Sequence, residues 1–153
     1  MEYIKYMESP VGLLRLVSNG KGITEINFFD GEMESERSDI HIEQAVKELK
    51  EYFEGKRKSF DLKIIIDGTE FRKRVWEELK NIPYGETVSY KYIAGRIGCK
   101  CARAIGGANN KNKIVIVIPC HRVIGADGSL VGYGGGLWRK EILLELEKRN
   151  KVD

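Results

Sequence analysis

No stretch of this 153-residue chain approaches the ~20 consecutive apolar residues of a membrane-spanning helix, so no membrane association is expected. Its first residues, Met1-Glu2-Tyr3-Ile4-Lys5, hold no apolar signal core, and the expected compartment is the cytoplasm. Cysteine is scarce. There are three, an odd number, and Cys99 and Cys101 stand too close in sequence to bridge comfortably. A disulfide framework is therefore not expected, which fits a reducing compartment. Histidine is scarcer still, with His41 and His121 alone. These five residues offer none of the paired spacings of a zinc site, so neither a metal nor a cofactor is expected. At 42% hydrophobic and 32% charged, the composition is that of a folded domain rather than a disordered chain. The length holds one ordinary domain or two small ones.

Acid is also missing from one whole stretch. Residues 91–122 contain seven Lys or Arg and no Asp or Glu. The two halves differ in the same sense: residues 1–67 hold 10 basic against 14 acidic side chains, and residues 68–153 hold 16 against 9. A one-signed block on a folded surface points to a partner of opposite sign, most often nucleic acid.

The stretch that organises the chain lies inside that block. Ile114-Val115-Ile116-Val117-Ile118 is a run of β-branched residues that predicts a buried strand. Pro119 has no N–H for a ladder and stops it. Cys120 and His121 follow, so a thiol is held beside an imidazole at the end of a rigid, dry element. A lone cysteine there would read as core. The adjacent His121, with Arg122 and Asn112, shifts the reading to chemistry, because the reactive species is the thiolate and a nearby base generates it.

In chain order, residues 3–7, 13–18 and 23–29 read as an antiparallel meander with turns at Ser9-Pro10-Val11-Gly12 and Asn19-Gly20-Lys21-Gly22. Ile42, Ala45, Val46, Leu49 and Phe53 recur at helical spacing and end at Gly55. Residues 60–66 read as a further strand. Asp67-Gly68 divides the chain into a scaffold, residues 1–67, and a second domain, residues 68–153. There, Thr69 caps a helix striped by Phe71, Val75 and Leu79. Ser89 caps a short helix to Arg96, with its exit at Gly98, and another runs from about Lys100 to Ala108. Two short helices around a Gly-containing turn suggest a helix-turn-helix. Ala102, Ala104, Gly106, Gly107 and Ala108 either let the second helix approach DNA or allow tight helix packing. Residues 123–131 hold a turn signal and predict a small hairpin or wing. A last helix, striped by Leu137, Trp138, Glu141, Ile142 and Leu144, runs to about Arg149. The fold class is α+β.

Pro119-Cys120-His121-Arg122-Val123 resembles the active-site motif of the O6-alkylguanine-DNA alkyltransferases, or methylated-DNA–protein-cysteine methyltransferases. The likeness runs from about Phe71 to Glu147. It takes in Ser89-Tyr90, Arg103-Ala104-Ile105-Gly106-Gly107-Ala108, Asn112 and Tyr133-Gly134-Gly135-Gly136. The resemblance implies a ribonuclease-H-like α/β first domain and a helix-turn-helix or winged-helix-like second one. It also implies a monomer acting on double-stranded DNA that contains O6-alkylguanine, with a flipped-out base and irreversible, stoichiometric alkyl transfer to Cys120. His121 would be the base, acting through a water. Glu147 would fix its tautomer, Asn112 would tie the DNA-binding helix to the active segment, and Tyr90 would hydrogen-bond the flipped base. Arg103 resembles the intercalating arginine, with a phosphate contact as the alternative. Lys100, Lys111, Arg122, Ala102 and Gly106 complete the implied DNA contacts, and Tyr133, Gly134, Gly135 and Val123 the base pocket. Where Gly134 stands the family often has Ser, so a side-chain contribution is lost and the backbone N–H remains. Trp138 is either a pocket wall or core. Two rival readings are a damage-binding protein of the alkyltransferase-like kind, which Cys120 argues against, and a thiol hydrolase, which leaves the basic helix-turn-helix unexplained.

Overall fold

Alternating apolar residues build the first part of the chain into a sheet. In the computed structural model, which describes residues 1–130 and 132–151, β1 (Tyr3–Met7), β2 (Leu14–Ser18) and β3 (Ile23–Phe28) pair antiparallel in the order β1-β2-β3. The register sets Ile4 opposite Val17 and Leu16 opposite Ile26. Leu14, Leu16, Ile23 and Ile26 are fully buried, and the helix α1 (Ile40–Phe53) lays Ile42, Ala45, Leu49 and Tyr52 on the sheet. Asp39 starts that helix: one carboxylate oxygen accepts from the Ile42 amide at 2.9 Å and the other from the Ser18 hydroxyl at 2.6 Å. Gly55, at φ 76°, ends it, with its amide on the Tyr52 carbonyl and that of Lys56 on Glu51.

The strand expected over residues 60–66 does not form. Only Ile64 bridges to Ile23, through the Lys63 carbonyl and the Ile65 amide. Contact is confined to the corner where glycine permits it, since a Cβ on Gly22 would lie 2.9 Å from the Lys63 carbonyl oxygen. The buried Glu48 instead holds this segment by accepting from the Asp61 amide at 2.8 Å.

Residues Met1–Asp67 form one unit and Gly68–Asp153 another. In the second, α2 (Glu70–Leu79) starts at Thr69, whose hydroxyl accepts from the Arg72 amide. The short strand β4 (Val88–Ser89) leads into α3 (Tyr90–Ile97), capped by Ser89 and closed by Gly98 at φ 76°. The next helix, α4 (Ala102–Asn110), begins two residues later than expected. The helices α2, α3 and α4 pack on one another, with Val75, Leu79, Ile93, Ile97 and Ile105 between them. Cys99 and Cys101, expected free, are paired in the α3–α4 turn. The turn brings their Cα atoms to 5.4 Å, well inside the disulfide range. The hairpin expected over residues 123–131 takes another form: β5 (Val123–Ile124) pairs in parallel with β4 and is followed by a turn in which the Gly125 amide bonds the Ser129 carbonyl. Val131 lies outside the described residues. The last helix, α5, is Leu137–Asn150. Its buried face carries Lys140, Leu143, Leu146 and Glu147, while Leu137 and Trp138 are about half exposed. Trp138 is therefore not core.

Candidate active site

The β-branched run before Cys120 is buried as expected, but it is not a strand. Ile114, Val115, Ile116 and Ile118 are all at most 4% exposed, and the chain folds on itself in consecutive tight turns. The Val117 amide bonds the Val115 carbonyl at 2.8 Å, Ile118 bonds Ile114 at 3.0 Å, and Cys120 bonds Ile118 at 2.8 Å. The first is a γ-turn centred on Ile116 at φ 73°, a region costly for a β-branched residue. Asn112 holds this knot from inside: its amide nitrogen donates to the Ile118 carbonyl at 2.8 Å and its oxygen accepts from the Ile114 amide at 2.9 Å. With its polar groups satisfied locally, the segment needs no neighbouring strand. The outcome is the rigid mount that the sequence suggested, made of turns.

Pro119 leads into one 3-10 turn, Cys120–Arg122, which buries all three side chains. The Cys120 Sγ lies 3.8 Å from the Tyr133 hydroxyl. Burial pushes the thiol pKa up, while Asn112, Tyr133 and the Lys140 ammonium act in the opposite direction. His121 is fully buried and pushed down by that burial, against the pull of Glu147. Burial alone would raise the Glu147 pKa, but His121 and Arg122 together hold it far below the carboxylate range. A neutral imidazole beside an ionised carboxylate fixes the tautomer. Nε2–H donates to Glu147 Oε2 across 2.7 Å, leaving Nδ1 as the lone-pair nitrogen, with no hydrogen-bond partner among the described residues.

Arg122, expected on DNA, is turned inward. Its Nε and Nη2 donate to Glu147 at 2.8 and 3.0 Å, Nη1 donates to the Ile82 carbonyl at 2.7 Å, and its guanidinium lies over the Tyr84 ring. A charge run cannot tell an inward basic residue from an outward one. Val123 is fully buried in β5 beside Val88. Tyr90, half-buried, directs its hydroxyl at the Gly132 carbonyl, 3.4 Å away, and its ring lies 4.0 Å from where a Cβ on Gly106 would stand. Lys100, Ala102, Arg103 and Lys111 are exposed and Gly106 is partly buried. Gly134 is exposed and Gly135 partly buried. The Gly135 carbonyl accepts from Arg139, whose guanidinium stacks on Trp138.

Two residues at the site escaped the sequence reading. Lys140 is fully buried, with Nζ 5.9 Å from the centres of both the Tyr90 and Tyr133 rings. Burial lowers its pKa, opposed by the Cys120 thiolate charge. The signal was its seven-residue spacing from Glu147 on the face of Leu143. Asn109, 2% exposed, donates to the Cys120 carbonyl at 3.1 Å; its signal was a polar residue four positions after Ile105 on the buried face of α4.

Two family models cover nearly the whole chain: 6-O-methylguanine DNA methyltransferase, ribonuclease-like domain, over residues 2–66, and the DNA binding domain of the same name over residues 70–149. The chain is 49% identical to the methylated-DNA–protein-cysteine methyltransferase of Methanosarcina barkeri, over 97% of this chain and 98% of that one. It is 46% identical to the protein of that name from Mycobacterium leprae, over 97% and 93%. A crystal structure of Mycobacterium tuberculosis OGT in complex with DNA superposes with a TM-score of 0.89 at 44% identity, covering 97% of this chain and 94% of that one.

Proposed function

We propose, because this chain belongs to the 6-O-methylguanine DNA methyltransferase family, that it repairs DNA by taking the alkyl group of an O6-alkylguanine onto its own Cys120. The His121–Glu147 pair beside the buried thiol carries the reading. His121 Nδ1 takes the thiol proton through a water, and Glu147 steadies the imidazolium that results. The Cys120 thiolate attacks the alkyl carbon in line. A C–S bond forms, the C–O6 bond breaks, and guanine leaves with the electron pair. Tyr90, the hydroxyl at the mouth of the site, donates to the departing base, and Lys140 offsets charge on the thiolate. Tyr133, Gly134 and Gly135 line the base pocket.

A base stacked in a duplex cannot present O6 to a buried thiol, so the nucleotide is flipped out at a cost of a few kcal/mol. Arg103 fills the vacated place, with Lys100 and Lys111 on phosphates. The reading is of a monomer acting on double-stranded DNA in the cytoplasm. Asn112 ties the end of α4 to the knot beneath Cys120. Among the described residues no helix is long and apolar enough to cross a membrane.

The step leaves a thioether, and among the described residues no group is placed to cleave one, so each chain reacts once. Incubation with duplex carrying O6-methylguanine, followed by mass spectrometry, should give one methyl per chain, located on Cys120. Several turnovers per chain would overturn the proposal and favour a hydrolase. Binding without transfer would favour a damage-recognition protein.

A further inference from the structure

The last turn of α4 and the residues just after it are held by three side-chain hydrogen bonds, one from α2 and two to the Cys120 segment. Trp76 Nε1 donates to the Ala108 carbonyl at 2.9 Å, Asn112 holds Ile118, and Asn109 reaches the carbonyl of the nucleophile's own residue at 3.1 Å. The third links the helix that carries the exposed Arg103 directly to the residue of the nucleophile.

Asn109 is a poor choice if its task is only to hold the fold together. Its Oδ1 is buried with no hydrogen-bond partner among the described residues, which costs stability. The carbonyl it serves already accepts from the Val123 amide. Leucine, of similar size, would fill the space and leave neither group stranded. What leucine lacks is a directional link between helix and carbonyl.

We propose that Asn109 is a positioning residue that couples the seating of α4 on DNA to the placement of Cys120, resting on the alkyl-transfer reading above. When α4 beds against phosphates, any small shift of its last turn moves the Asn109 amide and, with it, the backbone of the nucleophile. The bond acts on the chain that carries the sulfur, so its loss alters the approach geometry and changes DNA affinity only by the small coupling energy.

The test compares the full chain with Asn109→Leu and with Asn109→Asp, which keeps the size but has no donor. In protein labelled with 13C at cysteine carbonyls, undamaged duplex should shift the Cys120 resonance of the unsubstituted chain, identified by its loss in Cys120→Ser. In Asn109→Leu the shift should vanish, with DNA bound within about twofold of the original affinity and a thermal midpoint unchanged or higher. On saturating O6-methylguanine duplex, methyl transfer should slow about tenfold. No shift in the unsubstituted chain overturns the proposal even if neither variant folds, and so does an unchanged shift or rate in Asn109→Leu. A lower midpoint with an intact shift would make Asn109 structural. Failure of the unsubstituted chain to accept methyl at all would instead sink the alkyl-transfer reading, and the carbonyl measurement would still stand.

Discussion

Glu147 gathers the site's donors onto one carboxylate, accepting from His121, two nitrogens of Arg122 and the Gly85 amide. Glu147→Gln keeps the shape but removes the charge that fixes the imidazole, and Arg122 is left buried without its counter-ion. Transfer should slow by at least ~10²-fold, and stability should fall by ~3–5 kcal/mol, read from single-turnover rates and chemical unfolding. A variant with full rate would show that the tautomer is set elsewhere. The pH profile follows from the same groups. His121 and Glu147 bind protons less readily folded than unfolded. Stability therefore drops on acidification from ~6.5 and again below ~4.3, the values of the unfolded groups. The Cys120 thiol is raised in the fold, so the unfolded chain releases its proton first and stability also drops above ~8.5. The thermal midpoint should peak between these limits, and Cys120→Ser should lose the fall that begins near ~8.5 and keep both acid falls. At this scale the sequence spoke clearly only where partners are adjacent. Cys120-His121 was legible. Glu147 lies 26 positions on and was found through the family likeness, and Asn109 and Lys140 look ordinary until the helices turn them inward.

The elements with local signals were the most legible. Thr69, Ser89 and Gly55 each cap as their chemistry dictates, because a cap depends on neighbours within a few residues. The run Ile114 to Ile118 misled, since β-branching reports burial as much as extension and nothing in the run shows that Asn112 holds it in turns. Helix α4 projects Arg103 into solvent, and the proposed function gives it the gap that a flipped base leaves in the stack. Arg103→Ala should therefore slow transfer more on duplex than on single-stranded substrate, because a stack exists only in the former. Equal losses would mark a plain phosphate contact. The Cys99–Cys101 pair closes a loop of three residues, and its removal by double Ser substitution should cost roughly 1–2 kcal/mol on a chain-entropy estimate. Methyl transfer should stay within about twofold, since neither sulfur lies beside an imidazole. A large loss of rate would give the pair a part in catalysis.

For the molecule as a whole, the reaction should be destabilising. Cys120 is 3% exposed, beneath Tyr133 and above the knot that Asn112 holds. Adding a methyl overfills a closed site at a typical cost of ~1–3 kcal/mol. Methylated protein should melt below the unreacted form at matched pH and salt; equal or higher melting would mean a roomy pocket. The division into two units was readable from the charge asymmetry and Asp67-Gly68. The sheet pairing of β4 with β5 was not, because each is two residues long and carries no pattern. Trp76 gives the molecule its own optical gauge. Of the two indoles in the chain, Trp138 is 49% exposed and Trp76 only 4%, and Trp76 donates to the Ala108 carbonyl on α4, the helix proposed to bind DNA. In Trp138→Phe protein, the remaining emission comes from this one hydrogen-bonded ring, so its wavelength follows the last turn of α4 through binding and alkylation without any label.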